Sequence, residues 1–262
     1  MKIVVLGSGS KGNSVYIETK ESKVLIDAGL TYAETYNRLK FKNIKLDKLD
    51  AVFITHEHTD HINGIVNIAK YTKAALYFNK SSFENLRPMY LNGIMNNKIY
   101  FIKANVKYHI NNLIVVPITM SHDTANCYGF LIKSGKATYA HMTDTGIIDE
   151  KYFKLLSSIH TVLIESNHDV KMLQASNRPY FLKQRILSNK GHLSNDTCCE
   201  YLKNIVSKNT KNVILAHLSE ECNDEDLAKS LVEKTFPEKT FNLFAARQKE
   251  PLDVIEIGED DV

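Results

Sequence analysis

The densest chemistry in the chain is THEHTDH, residues 55–61, just after the apolar run AVFI at 51–54. Histidines one residue apart on a turning backbone, such as His56 and His58, can point the same way and chelate one ion. Asp60 and His61 then fall in the first turn of the following helix, facing back toward the same place. Imidazole nitrogen and carboxylate oxygen are the donors that zinc and similar divalent ions favour. This local supply exceeds what one tetrahedral ion uses, which points to two ions. Glu57 fits no ligand role and is expected to face solvent.

The same pattern recurs at other strand ends, where loops carry function on a rigid scaffold. His122 follows IVVPI, Asp144 follows TYAHM and His217 follows VILA. Histidines scattered by core packing would not each sit just past a strand. Taken singly, each keeps a plainer reading: His122 as a surface histidine, Asp144 as a cap of the turn in DTG, His217 as a satisfied strand-end histidine.

The elements that must position these residues are legible as alternating strands and helices. Strands are expected at 2–6, 14–19, 23–27, 51–55, 74–78, 98–102 and 112–118, with a hairpin across 128–144 joined by a tight Ser-Gly turn. Further strands are read at 161–166 and 212–217, and FNLFAA and DVIEI close the sheet. Helices are expected over 28–40, from Ile62 onward, over 177–188, and over 194–208 behind a Ser or Asn cap. GEDDV at 258–262 reads as a solvated tail. Two similar halves of mixed strands and helices suggest an α/β sandwich, two sheets face to face with helices outside. No repeat or linker divides the 262 residues, so one domain spanning 1–262 is expected.

Composition sets the boundaries. Hydrophobic residues make up 44% and charged residues 24%, which suits a folded soluble chain. The net charge of +3 is mild for a nucleic-acid-binding domain. Four cysteines without a C-x-x-C pair, two of them adjacent (Cys198 and Cys199), argue for a reducing, cytoplasmic setting. The opening MKIVVLGSGS is too short in apolar residues for a signal peptide, and no run reaches a membrane span.

H-x-H-x-D-H after a strand resembles the signature of the metallo-β-lactamase fold, a four-layered αβ/βα sandwich with a dinuclear metal site. In more detail, SGSKGNS, THEHTDH, SHD, TDTG, ESNHD, LKQRILS, GHLSN and LAHLS come in the order of its YycJ/WalJ-type branch. That branch is described as exonuclease-like and related to tRNase Z and the fold's phosphodiesterases. The resemblance implies that His56, His58 and His122 hold one metal, and that Asp60, His61 and His217 hold the second, with Asp144 bridging. It implies two divalent ions, zinc or manganese or else iron, and a nucleic acid, DNA, as partner. An Asp at 144 rather than Cys sets the chain apart from the true β-lactamases of the fold, and its length leaves no room for a β-CASP insertion.

By the same resemblance His192 in GHLSN protonates the leaving oxygen, with Glu165 behind it; the plainer reading makes His192 a residue preceding a helix cap. A protonated imidazole backed by a carboxylate is a coherent general acid. The implied activity is phosphodiester hydrolysis, with a DNA exonuclease in repair or metabolism as the leading expectation. A small-molecule phosphodiesterase or thioesterase, and a non-catalytic metal-binding regulator, are the alternatives. GSGSKGN lacks the P-loop pattern; beside the metals its Ser10 and Asn13 are candidate substrate contacts. His168 in ESNHD is another, with no derivable role. NRPYFLKQR offers Lys183 and Arg185, with Arg178, interleaved with Tyr180 and Phe181, the ingredients of a nucleic-acid groove or a solvated helix face. His141 is placed at the site edge or inside a strand, and His109 and His160 read as structural or exposed.

Overall fold

A computed structural model of the chain describes residues 1–258. Residues 259–262, most of the expected tail, lie outside the described residues. Among the described residues the strands form two sheets of seven. The first contains β1 (Lys2–Gly7), β2 (Ser14–Glu18), β3 (Lys23–Ile26), β4 (Ala51–Phe53), β5 (Ala75–Asn79) and β6 (Ile99–Ile102). The second contains β7 (Tyr108–Ile110), β8 (Leu113–Met120), β9 (Cys127–Ser134), β10 (Ala137–Met142), β11 (Thr161–Glu165), β12 (Asn212–Ala216) and β13 (Asn242–Ala245). The last strand, β14 (Ile255–Glu256), returns to pair antiparallel with β1. DVIEI and FNLFAA therefore close different sheets.

Each sheet is antiparallel along one half and parallel along the other. β1, β2 and β3 alternate in direction, whereas β3 through β6 run parallel. Likewise β7 to β10 are antiparallel and β10 to β13 parallel. The inner parallel strands β4, β11 and β12 are buried along their whole length, so they read as continuous apolar runs rather than alternating ones.

Side chains alternate across each strand, and this period of two builds three apolar layers. Ile3, Val5, Phe53, Phe130, Leu163 and Ile214 meet between the sheets. Val4, Leu6 and Val52 face the opposite way, toward α1 (Tyr32–Phe41), α3 (Ile65–Thr72) and α5 (Pro88–Ile94) through Leu39, Ile68 and Tyr90. A short α2 (Thr59–Ile62) precedes α3, and α4 (Lys80–Glu84) precedes α5. On the far side Val162, Ile164, Val213 and Leu215 pack on α6 (Phe153–Leu156), α9 (Asn195–Ile205) and α10 (Glu225–Thr235) through Leu156, Leu202 and Val232. The order is helix, sheet, sheet, helix, the expected sandwich. The remaining helices, α7 (Val170–Ala175) and α8 (Tyr180–Leu187), flank the functional edge.

Some boundaries differ from the sequence reading for local reasons. The helix expected from residue 28 starts at Tyr32, because Thr31 and Glu34 form a reciprocal capping box. Ala28 and Gly29 are instead pressed against the THEHTDH loop: Ala28 N donates to His61 O, and a Cβ on Gly29 would lie 1.7 Å from Asp60 O. The helix expected from 177 starts at Tyr180, after Pro179 in an extended conformation. Ser194 caps α9 by accepting from Thr197 N, as expected. Helices α4 and α5 and the edge strand β7 were not anticipated, although Asn79 as a cap and Pro88 at the first helical turn are ordinary start signals.

Candidate metal centre

The site gathers where strands of both sheets end. His56, His58, Asp60 and His61 follow β4, His122 follows β8, Asp144 follows β10 and His217 follows β12. Glu165 is the last residue of β11, and His192 lies in the loop between α8 and α9. Six imidazoles result, with ring centres 4.6 Å apart for His56 and His58, 4.1 Å for His56 and His61, and 5.2 Å for His58 and His122. His192 lies 5.2 Å from His122 on one side and 5.2 Å from His217 on the other.

Asp144 is the hub. Its carboxylate lies 3.2 Å from His61 Nε2, 3.5 Å from His217 Nδ1 and 3.8 Å from His122 Nε2. Burial by itself would raise this carboxyl, but His217 and His61 overcome it and hold Asp144 well below the usual carboxylate range. Asp144 and His217 both adopt left-handed backbone conformations, φ 53° and 56°, as does Asp27 at 60°. Residues with side chains seldom take that region outside functional or turn positions.

Outer partners aim the rings. His61 Nδ1 meets Asp27 Oδ2 at 2.7 Å, which turns His61 Nε2 toward Asp60 and Asp144. His56 Nδ1 meets the Thr55 hydroxyl at 2.9 Å, and His122 Nδ1 meets Gly191 O at 3.3 Å. Occupying one ring nitrogen fixes the other for a metal, the common arrangement around ligating histidines. His56 Nε2 is buried with no hydrogen-bond partner, and burial together with His61 keeps that ring neutral. A buried, neutral, unpartnered imidazole nitrogen is costly unless an electron-pair acceptor meets it.

The donor set fits divalent ions. Ligand atoms of His56, His58 and His122 lie within 4.8 Å of one another, as do those of His56, His61 and Asp144, and those of Asp144, Glu165, His192 and His217. Clustered histidine and carboxylate donors of this number suit two divalent ions. Asp60 stands beside this cluster: its Oδ2 is 3.4 Å from His61 Nε2 and accepts from Asn13 Nδ2 at 3.1 Å.

Glu165 is fully buried and serves two histidines. Its Oε1 lies 2.8 Å from His192 Nδ1 and 2.6 Å from His217 Nδ1, while Oε2 accepts from Thr145 N and Leu193 N. Burial opposes its charge, yet His192 and the other donors bring its pKa down to about 2. With Nδ1 engaged, His192 leaves Nε2 for a substrate. The sequence-based pairing of Glu165 with His192 is present; its simultaneous hold on His217 was not foreseen.

Some of the other residues depart from their sequence-based reading and some keep it. Glu57 is not a solvent-facing residue: Oε2 accepts from the buried Ser82 hydroxyl at 2.6 Å and Oε1 from Ala125 N at 3.1 Å. It thus ties the THEHTDH loop to the loop bearing His122. Asn13 is buried, with its amide nitrogen 3.0 Å from His61 Nε2, so it braces the centre. Ser10 is exposed and lines a cleft beside His192 and His217. His168 is buried beside Asn167, with Nε2 unpartnered, and burial lowers it to about 4. Lys183 donates to Gln174 O and Ser176 O at the end of α7, away from the cleft. Arg185 forms an ion pair with Asp123, the neighbour of His122. His141 is inside the core, bonded to the Tyr139 hydroxyl and Thr143. His109 is exposed, and His160 is bonded to Thr138.

Sequence reasoning missed Asp27, Thr55, Asp123 and Cys127. Asp27 left a trace, an acid ending the otherwise apolar strand VLI. Cys127, whose Sγ lies 3.7 Å from His56 Nδ1, left none.

A seven-plus-seven sandwich with this centre at its edge defines the class. Residues 22–218 match the family described as the beta-lactamase superfamily domain, and the chain belongs to that family. It is 31% identical over 239 residues to the exodeoxyribonuclease YycJ of Bacillus anthracis, covering 91% of this chain and 90% of the relative. It is 33% identical over 228 residues to the exodeoxyribonuclease WalJ of Streptococcus pneumoniae, covering 87% and 85%. The fold is shared with the metallo-beta-lactamase fold protein YhfI of Bacillus subtilis, at a TM-score of 0.70 and 14% identity over 96% of this chain and 99% of that one. Human tRNase Z, short form, matches at 0.66 and 14% identity over 98% and 100%.

Proposed function

We propose that the chain is a metal-dependent phosphodiesterase acting as a DNA exonuclease, in repair or another branch of DNA metabolism. The observation that carries this reading is the placement of His192, held by Glu165, at the rim of a histidine and carboxylate cluster fit for two divalent ions. The names of the relatives at 31% and 33% identity support DNA as the substrate.

In this reading His56, His58 and His122 hold one ion, and Asp60, His61 and His217 the other, with Asp144 between them. Zinc or manganese suits the donors, and iron is the third option. Ions bound there supply Lewis acidity toward phosphoryl oxygen and water. Glu165 keeps a proton on His192 Nδ1, so the ring can hold a second proton on Nε2 and give it to the departing alkoxide. Asp27 and Asn13 keep His61 and Asp60 in place. Tyr180 and Phe181, 77% and 73% exposed at the start of α8, offer faces for bases to stack on, with Arg178 and Arg185 close by for phosphates.

The four cysteines are free, which fits a reducing, cytoplasmic compartment. Among the described residues no helix is long and apolar enough to cross a membrane. The whole chain, 1–262, is taken as one domain.

Metal analysis of supplemented protein, with assays on end-labelled duplex DNA, RNA and a cyclic phosphodiester, tests the proposal. Two ions per chain and stepwise release of nucleotides from DNA ends are expected. Hydrolysis confined to the cyclic diester would replace DNA with a small substrate. Absence of metal-dependent hydrolysis with both ions bound would point to a non-catalytic regulator.

A further inference from the structure

We propose that the small cleft between α8 and the imidazole cluster is a subsite for a terminal phosphate monoester at the end of the DNA strand. This rests on the nuclease reading and specifies which strand ends the protein prefers.

The cleft has a volume of about 170 Å³ and is lined by Arg178, Arg185, Ser10, Ser219, His192 and His217 among others. Pockets for drug-sized molecules start near 300 Å³. The cleft is large enough for a phosphate group and smaller than the pockets that enclose drug-sized molecules. Because His192 and His217 form one wall, its occupant sits beside the bond being broken.

The lining suits a multiply charged oxyanion. Arg178 directs Nε to Glu221 at 2.8 Å, with Nη2 3.5 Å from the Ser219 hydroxyl. Arg185 directs Nε to Asp123. A guanidinium carries five N–H donors, so each arginine keeps Nη donors free while its acid partner steadies it. Those donors match phosphate oxygens in the forked geometry that makes Arg–phosphate pairs strong. Ser10 and Ser219 add hydroxyls.

The acid partners set the selectivity. Asp123 and Glu221 already offset one charge on each arginine, so a hydroxyl end gains little by entering. An internal diester carries one negative charge, whereas a monoester carries about 1.5 to 2 at neutral pH. Only the latter competes well with Asp123 for Arg185. The terminal phosphate can belong to a 5′ or a 3′ end, and the cleft chemistry is the same for both.

The test compares matched DNA strands bearing a 5′-phosphate, a 3′-phosphate or hydroxyls at both ends. Release of the first nucleotide from one phosphorylated end should be faster by about tenfold or more, the worth of a single charge-assisted hydrogen bond. The end that shows the effect identifies the source of the phosphate. In Arg178→Gln/Arg185→Gln protein, matched in melting temperature and metal content, the ratio of phosphorylated to hydroxyl rate should fall toward one. Binding of the same oligonucleotides to chelator-treated protein should show the same preference without turnover. Equal rates and equal binding for all three ends, with hydrolysis intact, overturn the subsite. Loss of hydrolysis on every DNA end instead overturns the nuclease reading beneath it. The wild-type comparison decides the question even if the double variant does not fold.

Discussion

His192 and His217 share one carboxylate oxygen, Glu165 Oε1, at 2.8 Å and 2.6 Å from their Nδ1 atoms. The proposed acid and a proposed metal ligand are therefore mechanically linked, and variants at the three positions should differ in kind. His192→Ala should keep both ions and lose about a hundredfold or more in turnover, the usual worth of a general acid. That loss should shrink for a nitrophenolate leaving group, which departs without a proton. Glu165→Gln should lose turnover and also metal affinity, because it loosens His217. Metal retention measured by dialysis and elemental analysis separates the two; full retention in Glu165→Gln would sever the link.

Glu57 gives a second prediction. Glu57→Ala frees Ala125 of the His122 loop from the THEHTDH loop and should weaken the ion assigned to His56, His58 and His122 by about tenfold, the lower range for an outer residue of a metal site. Glu57→Gln keeps an acceptor for Ala125 N and should recover most of that affinity. Titration with a competing chelator reads both, and unchanged affinity in Glu57→Ala would return this residue to a surface role.

The metal-free protein should show a distinctive pH dependence. Burial pulls the His217 imidazole down, but Asp144 and Glu165 outweigh it and raise its pKa to about 9 from 6.5. A group raised in the folded state stabilises fully below its unfolded value and loses that contribution as pH climbs through the folded one. The metal-free melting temperature should therefore fall between pH 6.5 and 9. A divalent ion needs the ring neutral, so the stabilisation given by the metal should grow over the same range, with proton release on binding. A flat metal-free profile would place the proton elsewhere.

Lys183 and Arg185, alike in a sequence reading, should part company. Lys183 closes two carbonyls at the end of α7, so Lys183→Ala should cost about 1 kcal/mol of stability and leave the salt dependence of DNA binding unchanged. Arg185→Ala should flatten that dependence by about one counterion. Equal salt slopes in the two variants would contradict this division.

The motif THEHTDH was legible because its donors are local: a strand end and a helix start suffice to aim them. The sandwich was legible too, since two-residue alternation in strands such as Lys2–Gly7 sorts Ile3 and Val5 from Val4 and Leu6 onto different layers. What escaped was decided by juxtaposition across the fold. Glu57 seemed idle because Ser82 and Ala125 come to it from elsewhere in the chain. Asn13's hold on Asp60 and His61 also escaped, because nothing in GSGSKGN reveals that Gly29 presses that loop onto Asp60. Lys183 and Arg185 look alike in sequence by charge, and only the fold shows the turn after α7 engaging Lys183.

The left-handed backbone at Asp27, Asp144 and His217 carries a consequence for how this chain can drift. Such conformations cost an ordinary residue on the order of 1 kcal/mol or more and cost glycine almost nothing. Local backbone preference at these three places thus runs against the chemistry. Random substitution to glycine there would relieve the torsional cost while deleting a ligand or, at Asp27, the partner that aims one, so folding competence and catalytic competence come under opposing selection at the same codons. Relatives that have abandoned the reaction should accordingly be enriched in glycine or asparagine at the positions matching these three, a bias readable from sequence without an assay.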